Sequence, residues 1–156
     1  MPQHLHITQS KPLVVAGRQG RFAVGPSPGI KNLWVKVMED FGRINGQIGF
    51  KAYGVCHNFS GDQKSGKGFM DYLAGVSVLD GGAVPGYLAT LDIPARREAV
   101  FVVGSDVAKL PQAWSLLFTT LLPSARLEVA PGPQYEVYDY ADPDKPGDIE
   151  IHVPVQ

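Results

Sequence analysis

The sequence predicts an α+β fold in which two copies of a βαββ unit form one antiparallel sheet that is covered by two helices. Three observations favour this fold class: short alternating segments typical of strands, two amphipathic segments typical of helices, and clusters of glycine and proline between them. The two halves, about residues 3–80 and 84–156, follow the same order of elements. We therefore expect a single domain over residues 1–156, with a groove between the two helices.

The first half is predicted to contain one strand, one helix and two further strands. Residues 4–16 are interpreted as one long or bulged strand. Residues 30–44 place apolar side chains at i, i+3, i+4, i+7, i+8, i+11 and i+14, which is the spacing of an amphipathic helix, and Gly46 follows its end. Residues 50–59 and 69–79 are interpreted as the two strands that complete the unit.

The strands of the second half repeat this order. Residues 86–93 and 98–103 are interpreted as strand, interrupted near Pro94. Residues 135–140 and 148–155 are the two closing strands, and a proline- and glycine-rich turn separates them. The second unit thus has the strands of the first.

A second amphipathic helix is predicted over residues 110–122, with Pro111 in its first turn and Pro123 at its end. Adding 80 to the residue numbers of the first helix reproduces the apolar positions of the second, so that Trp34 corresponds to Trp114. Two related helices on one sheet leave a groove between them. The two tryptophans would either line this groove or pack into the core.

Composition limits the classes of function. The chain has 156 residues, 44% of them hydrophobic, and a net charge of −1 with scattered lysines and arginines, whereas a nucleic-acid surface needs a concentrated basic stripe. No stretch approaches the roughly 18 apolar residues of a membrane span, and the first residues lack the pattern of a signal peptide. The sequence therefore predicts a cytoplasmic protein without direct nucleic-acid or membrane contact.

Several motifs suggest chemistry but favour a structural interpretation. Residues 61–68 resemble a phosphate-binding loop, yet Gly68 replaces the required serine or threonine and a strand follows instead of a helix, so we interpret them as a hairpin loop. His4 and His6 share a strand face but have no third ligand nearby. Cys56 is the only cysteine, and no local signature of a catalytic nucleophile is present. We therefore expect no metal, no cofactor and no catalytic residue of a standard class.

One alternating strand combines an acid with phenol rings. Successive side chains of a strand point to opposite faces, so Glu136, Tyr138 and Tyr140 share one face. If this face is buried, it suits a bulky organic cation, because ring faces attract positive charge and a carboxylate neutralises it. If it is exposed, it is an ordinary solvated surface. Spacing alone leaves both readings open, and Glu150 on the neighbouring closing strand is a second candidate acid.

Short motifs also occur in a characteristic order along the whole chain. In the second half they are residues 86–95 (GYLATLDIPA), 99–104 (AVFVVG), 113–114 (AW), 122–125 (LPSA), 131–138 (PGPQYEVY) and 148–155 (DIEIHVPV). In the first half they are residues 33–34 (LW), 53–56 (YGVC) and 72–78 (YLAGVSV). Together they resemble the gyrase-inhibitor-like (GyrI-like) family, which includes the effector-binding domains of AraC-type and MerR-type multidrug regulators.

The resemblance implies a duplicated βαββ domain with a ligand cavity between helices and sheet. In multidrug-binding members of the family, a buried glutamate on the penultimate strand meets lipophilic cations and aromatic rings stack on them. The resemblance therefore implies a binding module for amphipathic cationic compounds. The expected ligand-binding residues are Glu136, Tyr138, Tyr53, Trp34, Trp114, Leu110, Tyr72, Phe118 and Met38.

Two alternatives follow from the same resemblance. Some members look like hydrolases of strained electrophilic compounds, in which Glu136 with Tyr53 or Tyr138 would activate water. Gyrase-inhibitor members instead act through a protein-binding surface. The regulators carry a DNA-binding domain before this module, while the present sequence starts almost at the first strand. We therefore expect a free-standing member without its own DNA-binding domain, with a possible protein partner such as a DNA-binding regulator.

Overall fold

A computed structural model describes residues 4–25, 27–61 and 68–156, so most of the loop over residues 61–68 lies outside the described part. The predicted α+β class is confirmed, because the strands form one antiparallel sheet and helices pack against one of its faces. The strands are β1 (Leu5–Gln9), β2 (Leu13–Ala23), β3 (Gln47–Ser60), β4 (Phe69–Val78), β5 (Ala89–Ile93), β6 (Arg97–Gly104), β7 (Gln134–Asp139) and β8 (Ile149–Pro154). The helical segments are α1 (Pro28–Asp40), α2 (Leu110–Leu116), a π-helical turn (Leu117–Leu121) and α3 (Leu122–Ser124), with 3-10 turns at Gly81–Ala83 and Val107–Lys109.

The sheet has the strand order β1-β6-β8-β7-β3-β4-β2-β5. Exchanging β1 to β4 for β5 to β8 and reversing the direction reproduces this order, and the central pair is β3 with β7. This internal symmetry supports the predicted duplication of the chain.

Each half contributes one strand more than the sequence predicted. Residues 4–16 do not form one strand, because the chain turns at Pro12: β1 pairs with β6, whereas β2 pairs with β4 and β5. The chain turns in the same way near Pro94, between β5 and β6. Proline lacks the N–H that a strand ladder needs, which explains both breaks. The turns near Pro12 and Pro94 contact each other, because the Ser10 N–H donates a hydrogen bond to the Arg96 carbonyl at 2.8 Å.

Both predicted helices form, with shifted ends. α1 begins at Pro28, the Ser27 hydroxyl accepts the Gly29 N–H at 3.3 Å, and the helix ends at Asp40 rather than near residue 44. The second helix does not stop at Pro123. The π-helical turn precedes a new α-helical turn, so Pro123 lies at a position where its missing N–H costs little. No helix in the described ranges is long and apolar enough to cross a membrane.

The sheet has a helix face, which packs against α1 and α2, and an opposite face that we call the far face. On the helix face, Val37 of α1 packs with Tyr72 and Ala74, and the α2–α3 region packs on β6 and β8. A separate apolar cluster on the far face includes Tyr135 and Val137 of β7. Because β7 alternates, its intervening side chains lie beneath the helices.

Candidate functional site

Glu136 lies at the middle of the sheet on the helix face. Its partners across the neighbouring strands are Gly54 of β3 and Ile151 of β8. Only 9% of the residue is exposed, which makes it one of the few buried polar residues of the described chain. Of the two interpretations that the sequence left open for this strand face, the buried one therefore applies to Glu136.

Three neutral groups donate hydrogen bonds to the Glu136 carboxylate. The Trp114 indole N–H donates to Oε2 at 2.7 Å, and the Tyr138 hydroxyl donates to Oε1 at 2.7 Å. The Tyr72 hydroxyl approaches Oε1 at 3.5 Å and itself accepts the Trp34 indole N–H at 3.1 Å. Both halves of the chain thus contribute rings to one buried acid.

The space for this arrangement depends on Gly54. A Cβ atom at this position would lie 2.1 Å from the Tyr72 hydroxyl oxygen and 3.1 Å from Glu136 Oε1. The first distance is far below van der Waals contact, so any other residue would push the buried tyrosine away from the acid. Gly54 is part of the 53–56 motif, but nothing in the motif shows that it faces Glu136, because that depends on the register of β3 against β7.

The electrostatics of the site are those of a buried anion without a cationic partner. Burial raises the pKa of Glu136 above its usual 4.5, and the hydrogen bonds from Trp114, Tyr138 and Tyr72 only partly offset this effect. Among the described residues, no lysine, arginine or histidine forms an ion pair with Glu136. Burial and the neighbouring carboxylate also raise the pKa values of Tyr138 and Tyr72, so both hydroxyls remain protonated donors.

Aromatic rings surround the acid. The rings of Trp34 and Tyr138 meet edge to face with centroids 5.4 Å apart, and Trp114 stacks with Phe118 at 6.1 Å. Phe118 is 38% exposed, so this pair extends from the acid to the surface. Ring faces of this kind attract cations, and both faces and edges pack against other aromatic groups.

Two predicted residues lie further from the acid. Leu110 is buried in the core beneath α2. Met38 lines a separate cleft of about 340 Å³ together with Phe41 and Tyr140. The structure thus brings Glu136, Tyr138, Tyr72, Trp34 and Trp114 together through hydrogen bonds and adds Phe118 by stacking, whereas Leu110 and Met38 do not touch the acid through any hydrogen bond or ring contact of the described residues.

Tyr53 departs from the expected site. It pairs with Val137, points to the far face and packs against Tyr135 with ring centroids 5.9 Å apart. Because Gly54 faces Glu136, the alternation of β3 sends the preceding side chain to the other side of the sheet. Tyr53 therefore cannot share a pocket with Glu136, nor can it assist that acid in catalysis.

Glu150 is on the far face as well. It lies across from Val137, and its Oε1 pairs with His152 Nε2 at 2.9 Å. The side chain is 36% exposed. Of the two candidate acids in the sequence, only Glu136 is buried beneath the helices.

Sequence reasoning missed a second buried acid, Glu98. It is 1% exposed and accepts hydrogen bonds from Arg96 Nε at 2.8 Å, His152 Nδ1 at 3.0 Å and the Tyr135 hydroxyl at 3.2 Å. The only signal was a charged residue at the start of an otherwise apolar strand, which is more often exposed. Within the described residues, no group of three or more histidine, cysteine, aspartate or glutamate side chains is arranged to hold a metal ion.

The chain is similar in sequence to a bacterial transcriptional regulator. The chain is 25% identical over 156 residues to the transcriptional regulator BrlR of Pseudomonas aeruginosa. The match covers 97% of this chain and 55% of the regulator, so the chain spans about half the length of that relative.

Solved structures share the fold at low sequence identity. The integron cassette protein VCH_CASS2 from the mobile metagenome of Vibrio cholerae superposes with a TM-score of 0.71 at 18% identity. The superposition covers 99% of this chain and 97% of the cassette protein. SAV2435 bound to tetraphenylphosphonium has a TM-score of 0.70 and 19% identity, with coverages of 97% and 93%. The EcmrR C-terminal domain has a TM-score of 0.66 and 16% identity, with coverages of 97% and 96%.

The family follows from a match over nearly the whole chain. Residues 5–156 match the GyrI-like small molecule binding domain. The matched residues include all eight strands and both helices, and therefore the buried acid and the rings around it. The chain belongs to the GyrI-like family of small-molecule-binding domains.

Proposed function

We propose that this domain binds lipophilic organic cations between its helices and its sheet, with ionised Glu136 as the counter-charge and the surrounding rings as the walls. One observation carries this proposal: the carboxylate is buried, and among the described residues only neutral donors bond to it. A site of this kind has a single unbalanced charge, which is negative once the acid loses its proton.

The energetics favour a cation of low charge density. Burying a charge without a partner costs several kcal/mol, and a cation at contact distance offsets this cost. A small, strongly hydrated ammonium would lose its own hydration, whereas a large cation with shielded charge has less to lose. Its apolar groups would also gain from contact with Trp34, Trp114, Tyr138 and Phe118.

Exposed apolar side chains on the helical segments support a ligand of this class. Phe118 and Met38 are 38% and 40% exposed, which places large apolar side chains at the outer side of both helices. Such side chains adapt to ligands of different shape. The fold is shared with SAV2435 in its complex with tetraphenylphosphonium, which adds support for a lipophilic cation.

A link to gene regulation is part of the proposal. The chain resembles part of BrlR, a transcriptional regulator, and shares its fold with the EcmrR C-terminal domain. Ligand binding in this domain would then be transmitted to a DNA-binding regulator as a partner. Its binding function does not depend on that partner.

A series of phenyl compounds that differ in charge tests the proposal. Tetraphenylphosphonium and tetraphenylborate have the same four-ring shape with opposite charge, and triphenylphosphine oxide is a neutral compound with three of these rings. We expect the cation to raise the melting temperature of the full chain in proportion to the logarithm of its concentration, and the other two compounds to have little effect. Equal stabilisation by all three would contradict a charge-selective site.

A further inference from the structure

A second cavity lies on the far face of the sheet. It has a volume of about 270 Å³, and the connection between β1 and β2, including Lys11 and Pro12, passes along its side. Its floor includes Tyr53 and Val137, whose chain neighbours Gly54 and Glu136 face the helices. The sheet itself therefore separates this cavity from the site around Glu136.

Glu98 is the buried acid of this cavity, and both of its carboxylate oxygens are hydrogen-bonded. Both carboxylate oxygens of Glu98 accept hydrogen bonds, from Arg96 on one side and from His152 on the other, and the Tyr135 hydroxyl adds a third donor. The Tyr135 ring also stacks on His152 with centroids 4.7 Å apart. The charge of Glu98 is paired within the protein, so Glu98 offers no free charge to a ligand.

Two groups of opposite charge, Glu150 and Lys51, also line the cavity; the hydrogen bond to His152 lowers the pKa of Glu150, and the nearby charge of Lys51 adds to this effect. Glu150 uses Oε1 for its contact with His152 at 2.9 Å, while its Oε2 has no hydrogen-bond partner among the described residues. Lys51 also lines the cavity, and no described carboxylate lies within ion-pair distance of its ammonium group. Asp139, which is directly opposite Lys51 in the sheet, instead accepts the backbone N–H of Ala141 at 2.9 Å.

We propose that the far-face cavity binds a small zwitterion with an apolar side chain, such as an aromatic α-amino acid. The ligand carboxylate would pair with Lys51, its ammonium with Glu150, and its side chain would pack on Tyr53 and Leu13. A simple anion would satisfy only Lys51, and a simple cation would satisfy only Glu150. The volume lies just below the roughly 300 Å³ at which typical ligand pockets begin, so the cavity suits a ligand about the size of one amino acid.

Phenylalanine and two analogues that each lack one charge test this proposal. Phenethylamine lacks the carboxylate, and 3-phenylpropionate lacks the ammonium. Titrations are followed by the amide chemical shifts of the full chain in nuclear magnetic resonance. They are made in the Glu136→Gln variant, so that aromatic cations do not report on the helix-side site. We expect phenylalanine to bind at least about tenfold more tightly than either analogue, because each charged hydrogen bond contributes about that factor.

Two variants locate the charges. Lys51→Met should remove the advantage of phenylalanine over phenethylamine, and Glu150→Gln should remove its advantage over 3-phenylpropionate. Lys36→Met, at an exposed position on α1, is the matched control and should leave all three affinities unchanged. Absence of phenylalanine binding, equal binding of all three compounds, or shifts confined to the helix face would each overturn the proposal.

Discussion

Replacement of Glu136 by glutamine is expected to lower the affinity for tetraphenylphosphonium about 100-fold. Glutamine keeps the shape of the side chain; its oxygen can accept from the Trp114 indole N–H, and its amide N–H can donate to the Tyr138 hydroxyl, but it carries no charge. Removing one partner of a buried charge pair costs about 2–5 kcal/mol, and about 1.4 kcal/mol corresponds to a factor of ten. The expected loss thus lies at the lower end of this range. Isothermal titration calorimetry measures it.

The fold should survive this change. Because burial raises the pKa of Glu136 above 4.5, ionisation of this group at neutral pH opposes folding. A neutral side chain removes that cost, so the free energy of unfolding in urea should stay the same or increase slightly. Any loss of affinity then reflects the lost charge rather than a damaged site.

Glu150→Gln is the matched control for this prediction. It removes the same charge from the far face of the sheet, next to the same strand. Tetraphenylphosphonium affinity should change by less than about twofold, because the substitution touches none of the groups around Glu136. If Glu136→Gln binds the cation as tightly as the wild type, or if the two variants lose affinity equally, Glu136 is not the counter-charge.

Replacement of Glu98 by alanine is expected to lower the free energy of unfolding by about 3–5 kcal/mol, because it leaves buried partners of an ion pair uncompensated. The partners are Arg96 Nε at 2.8 Å and His152 Nδ1 at 3.0 Å. The Arg96 side chain is only 12% exposed and His152 only 14%, so water restores little of the lost interaction. Urea denaturation between pH 4.5 and pH 6.5 measures the loss.

The pH dependence of stability provides a further check on this network. Burial raises the pKa of Glu98, but the hydrogen bonds from His152 and Arg96 reverse this, so the pKa lies below 4.5. Burial lowers the pKa of His152, but the bonds to Glu150 and Glu98 reverse that, so it lies above 6.5. Glu98 makes its full contribution to the stability of the fold above pH 4.5, and this contribution is lost on acidification. His152 makes its full contribution below pH 6.5, and this contribution is lost as the pH rises.

The difference in the free energy of unfolding between wild type and the Glu98→Ala variant should therefore be largest between pH 4.5 and pH 6.5. This difference should become smaller at lower and at higher pH. Glu128→Ala removes a carboxylate from an exposed position and should change stability by less than about 0.5 kcal/mol. A Glu98→Ala variant as stable as this control would show that the buried network contributes nothing to folding.

The sequence predicted those features of the fold that depend on local pattern. Apolar spacing located both helices, and alternation in residues 135–140 placed Glu136 and Tyr138 on one face. The correspondence of Trp34 and Trp114 indicated that both halves would contribute rings, and both indoles lie in the hydrogen-bond network of the acid. These features can be predicted from the sequence because the direction of a side chain follows from its position within one helix or strand.

Features that depend on pairing between distant segments could not be predicted from the sequence. Tyr53 was expected beside Glu136, but the register of β3 against β7 places Gly54 there instead. The interruption near Pro94 was predicted and the turn at Pro12 was not, but neither pattern indicated that the strands on the two sides of each break pair at opposite ends of the sheet. The network of Glu98, Arg96 and His152 likewise needs three separate segments to meet, and single-sequence pattern does not encode which strands become neighbours.

The most direct test of the central claim is a titration of Glu136 itself, with and without ligand. Nuclear magnetic resonance of the labelled side-chain carboxyl, assigned by difference against Glu136→Gln, reports its ionisation as the pH changes. In the free protein the pKa is expected above 4.5, and saturation with tetraphenylphosphonium should lower it, because a cation that prefers the ionised acid must shift the proton equilibrium by the same factor. A pKa that stays in place when the cation saturates the protein would contradict the proposed site.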